Sequence, residues 1–207
     1  MPSDRKLRKF VRQWRRRYPY PVDWVDDRSN KQCRRSEAQW LGQFREATSL
    51  KRREVAALIE WRFAGDEPEK QKAMHGVTGP AQSGHARRCV KKALATPSAT
   101  AALDCLLGDR GGIPGWGPAM ASAVLAACRP DIYCVADSRA LRTLRALDLY
   151  SPNLDDEFTR DDWWPYLSIS RKLATISGLS LQEVARALWA AADDAPRLPA
   201  TPRSAKT

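Results

Sequence analysis

Two features between Gly112 and Leu147 have the residue types and spacing to do chemistry together. The first is the turn Ile113-Pro114-Gly115-Trp116-Gly117, which opens a helix expected over 118–128. A Gly-x-Gly turn at a helix N-terminus leaves backbone N–H groups without partners, and those groups suit a phosphate. An ordinary helix–turn–helix would use the same glycines. The second feature is a lone carboxylate, Asp137, at the start of a further helix, SRALRTLRAL. Aspartate is a favoured N-cap, so the residue has a purely structural use as well. A carboxylate fixed at a set distance beyond a phosphate cradle can act on whatever that phosphate belongs to.

A helical scaffold has to position these groups. Residues 4–17 place Leu7, Phe10, Val11 and Trp14 on one helical face and arginine and lysine on the other. The segment 18–24, with two prolines, reads as extended. Ser36 to Ala47 reads as a helix with Trp40, Leu41 and Phe44 inward. Ser49 is placed to cap the next helix, which carries Val55, Leu58, Ile59 and Trp61. Gly65 to Gly84, rich in Gly, Pro and charge, reads as a loop with at most a short helix. Helices are expected at 85–95 and 98–107, the second capped by Ser98. An acidic loop, 151–162, ends in an expected cap at Asp161, and helices at 162–177 and 180–193 close the fold, the last capped by Ser180. No internal repeat and no sustained alternation of period two is present, so the class is all-α.

The sequence divides into a basic N-terminal helix and Pro-rich arm (1–30), a helical domain (31–195) and a proline-rich, basic tail expected to be disordered (196–207). Its 207 residues suffice for one sizeable core or two small lobes sharing a cleft. A net charge of +11 favours a polyanionic partner. No apolar run approaches the ~18 residues of a membrane helix, and the basic N-terminus lacks the apolar stretch of a signal peptide. Five cysteines without a C-x-x-C pair read as reduced, partly buried thiols of a cytoplasmic protein. His75 and His85 lack metal-ligand spacing, so no zinc site is expected.

The run Ile113-Pro114-Gly115-Trp116-Gly117-Pro118-Ala119-Met120-Ala121 resembles the hairpin signature of the helix-hairpin-helix DNA glycosylase superfamily, Leu-Pro-Gly-Val-Gly-x-Lys-Thr-Ala. Val135-Ala136-Asp137-Ser138-Arg139-Ala140-Leu141-Arg142 resembles its second signature, Val-Asp-Thr-His-Val-x-Arg, with one extra residue, Ala136. Asp137 then stands in the place of the catalytic aspartate. It follows Ala119, the position of the catalytic lysine in some members, by eighteen residues, as in those members. The resemblance covers 112–147, with the hairpin at 111–128 and the aspartate segment at 131–147.

The resemblance implies two helical lobes around a cleft and a DNA glycosylase that flips a damaged or modified base. It implies DNA contacts at Gly115, Trp116, Gly117, Ala119 and Arg139, and a structural pairing for Arg142. Alanine at 119 cannot supply a nucleophilic amine, so the implied enzyme is monofunctional, without lyase activity, and leaves an abasic site. No cysteine follows Cys134, so no iron–sulfur cluster is expected. No cofactor is required, although the family's hairpin carbonyls can hold a monovalent cation. Candidates for the base pocket are Trp61, Trp116, Ala119, Trp163 and Trp164, and the tryptophans among them are equally at home in a core. Alanine at 119 would enlarge the pocket, which suits a bulky base such as the hypermodified cytosines of some bacteriophages. A stand-alone bacterial defence enzyme, as well as DNA repair, fits that reading. The chain is read as a monomer with DNA as partner and no membrane.

Two other readings compete. One is a non-catalytic helix-hairpin-helix DNA-binding protein that keeps the hairpin as a phosphate clamp. The other is a helical structural or partner-binding protein whose basic arm is incidental. Both DNA readings predict that affinity for DNA falls steeply between low and moderate salt in a binding titration. Weak binding that does not respond to salt would favour the structural protein.

Overall fold

The computed structural model describes residues 2–17, 24–25, 34–35, 37–150 and 158–192. In chain order the helices among them are α1 (Asp4–Arg15), α2 (Glu37–Gly42), α3 (Arg52–Arg62), α4 (Glu67–His75), α5 (Pro80–Ala95), α6 (Ala99–Asp104), α7 (Pro118–Cys128), α8 (Ser138–Ala146), α9 (Trp163–Ser177) and α10 (Leu181–Ala190). One short antiparallel pairing accompanies them, β1 (Trp24–Val25) on β2 (Arg34–Arg35). The described chain is thus helical, as its sequence pattern requires, and two-residue strands are too short to announce themselves by alternation. The proline arm from 18 to 23, Cys33, the acidic stretch from 151 to 157 and the tail from 193 lie outside the described residues.

Leu7, Val11 and Trp14 are buried on one face of α1. They pack against α9 and α10, each contributing about 1.5–3 kcal/mol by burial. The basic face of α1 is also engaged. Arg8 Nε donates to the Ile176 carbonyl at 2.7 Å and Arg12 Nε to the Ser177 carbonyl at 3.0 Å. These cations meet the last carbonyls of α9, at the negative end of its dipole. Helix α8 packs on α10, and Thr143 Oγ1 donates to the Leu188 carbonyl at 2.6 Å.

Helix α7 is the centre of a second group. It packs against α3, α5 and α6, and every residue from Met120 to Cys128 is buried. Its alanines let neighbours approach on all sides, and a helix apolar all round belongs inside. α6 also touches α9, which joins the two groups.

Several boundaries differ from the sequence reading. The helix expected to reach Ala47 stops at Gly42. Ser49 caps nothing: α3 begins behind Lys51, whose backbone N–H donates to Glu54 Oε2 at 2.6 Å. Asp162, not Asp161, stands before α9. Its carboxylate accepts from the Tyr150 hydroxyl at 2.8 Å and from Thr159 N and Oγ1 at 2.7 Å instead of capping the helix. The stretch 65–84 hides all of α4 and the first turn of α5. Pro68 and Pro80 sit in the first turns of those helices, where a missing N–H costs nothing, and Asp66 caps α4 by accepting from Glu69 N at 3.3 Å.

That unexpected helix is the platform for the glycine hairpin. Trp116 Nε1 donates to the Ala73 carbonyl at 3.1 Å. Gly115 has φ +79° and lies so close to α4 that a Cβ would run into the Lys72 carbonyl. Gly115→Ala should therefore combine backbone strain of about 1–3 kcal/mol with a steric clash, whereas Gly117→Ala, extended and with open space before it, should cost about 1 kcal/mol or less. Denaturant unfolding of the two variants checks this; equal stabilities would show that the hairpin does not need its close contact with α4.

Candidate functional site

The route from α7 to α8 is an irregular segment, Ile132 to Asp137, in which Tyr133, Cys134 and Ala136 are buried. Buried peptide groups need partners, and here side chains from three helices provide them. Arg171 Nη2 donates to the Ile132 carbonyl at 2.8 Å. Gln182 Nε2 donates to the Tyr133 carbonyl at 3.0 Å, and the Tyr166 hydroxyl to the Val135 carbonyl at 3.0 Å. Ala136 N donates to Ser122 Oγ at 2.8 Å, and Ser122, fully buried in α7, passes its own proton to the Ala119 carbonyl at 3.1 Å. Burial holds the Tyr166 phenol well above its ordinary pKa, with Cys134 and Asp137 adding to the effect, so it remains a proton donor.

Asp137 emerges from this clamp as the N-cap of α8, as expected. Its Oδ1 accepts from Arg139 N at 2.8 Å, and its Oδ2 pairs with Arg62 Nη2 at 3.0 Å. The carboxylate side chain is 16% exposed and lines a cavity of about 200 Å³. Trp61 and Arg62 of α3 form one wall, and Gln182, Arg186 and Trp189 of α10 form another. Glu37, at the start of α2, adds a second carboxylate, which accepts from Trp61 Nε1 at 3.0 Å and pairs with Arg186. Each carboxylate in the cavity is therefore matched by one guanidinium. The Arg139 guanidinium lies over the Trp189 ring, 4.3 Å from its centroid, a cation–π contact that braces this wall.

Nearby thiols offer no nucleophile. Burial pushes Cys128 and Cys134 up to about 12, so both stay protonated near neutral pH. No group of three or more metal-ligating side chains occurs among the described residues.

The hairpin reaches this site through α7. Among the described residues, no acceptor meets the amides of Gly115, Gly117 and Ala119. His85 Nε2 bonds the Gly112 carbonyl at 2.8 Å and ties the loop to α5. The Ala119 carbonyl, one turn into α7, anchors Ser122, which in turn holds Ala136 beside Asp137. Hairpin and carboxylate are thus linked through one serine.

The sequence-derived candidates separate. Asp137 and Trp61 line the cavity. Trp116 and Trp163 are core residues, 3% and 0% exposed, with their indole N–H groups bonded to the Ala73 and Ala99 carbonyls. Trp164 is half exposed and lines a separate shallow depression with Ile132 and Arg171. Ala119 is not part of the cavity wall, so the argument that its small size enlarges the pocket finds no support there. Arg139 is not among the lining residues; it meets two that are, Asp137 through its backbone N–H and Trp189 through its guanidinium. Sequence reading missed Glu37, Arg62, Gln182, Arg186 and Trp189. One signal was present: Gln182, Ala185, Arg186 and Trp189 recur at helical spacing and form a mixed polar and aromatic stripe beside the apolar Leu181, Val184 and Leu188.

Comparison with family models, with curated proteins and with solved structures yields no match to this chain.

Ser122→Ala would leave the Ala136 N–H buried without a partner, and we expect it to destabilise the fold by about 1–3 kcal/mol in denaturant unfolding. An unchanged unfolding midpoint would mean that the segment before Asp137 is held without the serine.

Proposed function

We propose that this chain is a monofunctional DNA glycosylase of the helix-hairpin-helix kind, which flips a modified base and hydrolyses its N-glycosidic bond. The observation that carries the reading is the fixed seat of Asp137 in a small aromatic-walled cavity, one helix away from a hairpin in which the amides of Gly115, Gly117 and Ala119 meet no acceptor among the described residues. In support of a two-lobe cleft, the cavity takes its walls from α3 in one helix group and α10 in the other. The net charge of +11 suits a DNA partner.

The chemistry follows from the carboxylate. As the N-glycosidic bond breaks, its electron pair leaves on the base and positive charge develops on the deoxyribose. Asp137 stabilises that charge and orients a water whose oxygen bonds to the sugar carbon, and the carboxylate takes up the water's proton. Trp61 and Trp189 offer faces for the flipped base, and stacking offsets part of the few kcal/mol that flipping costs. The amides of Gly115, Gly117 and Ala119 would hold a neighbouring phosphate. The hairpin carbonyls of Ile113, Trp116 and Gly117 each accept one backbone N–H and keep a second lone pair, so a monovalent cation bound there would add positive charge beside that phosphate.

One observation favours the non-catalytic clamp: both Asp137 oxygens already have partners, Arg139 N and Arg62. A single assay separates the two readings. DNA carrying uracil, alkylated, oxidised or glucosylated bases is incubated with the protein and treated with alkali to reveal abasic sites. The enzyme reading expects abasic sites from some of these substrates, reduced at least about 100-fold in Asp137→Asn while DNA binding persists. Salt-sensitive binding by both proteins without abasic sites would establish the clamp.

A further inference from the structure

The cavity holds a second carboxylate, Glu37, besides Asp137. Glu37 is only 9% exposed as a residue, yet it lines the cavity. Its Oε1 receives the Trp61 N–H and its Oε2 the Arg186 guanidinium. A carboxylate offers about four acceptor positions, so two remain. Gln182 gives one N–H to the Tyr133 carbonyl and keeps a second N–H and its carbonyl oxygen. The Arg62 guanidinium holds Asp137, and its Nε is buried beyond reach of a ligand. A ligand edge set against Glu37 therefore meets an acceptor, and a carbonyl placed there would leave Glu37 facing another acceptor.

We propose that Glu37 is a specificity-determining residue that accepts a hydrogen bond from an exocyclic amine of the bound base. The site then selects amino-bearing bases, of the adenine, guanine or cytosine kind, over counterparts that carry a carbonyl at the same ring position. The inference rests on the glycosylase reading, since it names the class of base which that reading leaves open. Asp137 deals with the sugar and Glu37 with the far edge of the base. Glutamine at position 37 would have a single oxygen for the Trp61 N–H and Arg186 together and an N–H2 group in place of the second carboxylate oxygen, which weakens the preference.

The test uses the full chain and oligonucleotides that each carry one base from a matched pair. Examples are 5-hydroxymethylcytosine with 5-hydroxymethyluracil, and adenine with hypoxanthine, added to a panel of alkylated and oxidised bases. Abasic sites are measured for wild type, Glu37→Gln and Asp137→Asn, and the folding of each variant is checked by thermal unfolding. We expect wild type to excise the amino-bearing member of a pair, and Glu37→Gln to lower kcat/KM for it by about ten- to a hundredfold. The ratio between the two members should move toward unity, which a merely structural role for Glu37 would not produce. Should Glu37→Gln fail to fold, the wild-type preference within each pair decides alone. Excision of carbonyl-bearing members as fast as their amino partners overturns the inference and leaves the glycosylase reading standing. No excision from any oligonucleotide removes both.

Discussion

The structure depends on satisfying the peptide groups of an irregular segment that runs through its core. From Ile132 to Asp137 the backbone makes neither helix nor sheet, and at Tyr133, Cys134 and Ala136 it is buried, where peptide groups need protein partners. Ser122, Tyr166, Arg171 and Gln182 each take one peptide group, from three helices. A buried donor or acceptor left unmade costs about 1–3 kcal/mol, so these helices cannot slide without losing several such bonds at once. The same constraint delivers Asp137 to its position. Tyr166 therefore acts on Asp137 through the backbone that carries it, and Gln182 both lines the cavity and holds that backbone.

The excess of basic residues has a similar dual character. Arg8 and Arg12 meet the carbonyls that end α9, Arg129 holds the Ala47 carbonyl, and Arg160 grips Asp104 through two N–H groups. Arg62 and Arg186 neutralise the cavity's carboxylates. Arginine suits these tasks because its planar fork bonds two groups at once and stays charged when partly buried. Much of the positive charge is thus structural, and net charge is a poor map of where a polyanion would lie.

Local signals in the sequence were legible where one short stretch decides the outcome. Ser98 caps α6 and Ser180 caps α10, Asp137 opens α8, and the apolar spacing of α1 buries Leu7, Val11 and Trp14. Composition misled at 65–84, because proline breaks a helix interior but is welcome in a first turn, and the two uses look alike until the cap is found. The tryptophans were illegible for a different reason. Trp61, Trp116, Trp163 and Trp164 end as cavity wall, two core pillars and a surface residue, and an indole suits all of these places. Glu37 and Arg186 meet across most of the chain, so nothing in either neighbourhood announces the pair.

The docking of α1 on α9 and α10 has a consequence for how the molecule is made. The bonds from Arg8 and Arg12 span 168 and 165 positions. On a ribosome, α1 emerges before α9 and α10, with Leu7, Val11 and Trp14 facing water until those helices have been synthesised. At about 5–20 residues per second this is a wait of roughly ten seconds or more, long beside the microseconds in which a helix forms. During that interval the nascent chain presents an apolar stripe flanked by arginines, a surface that a chaperone can hold until α9 and α10 arrive.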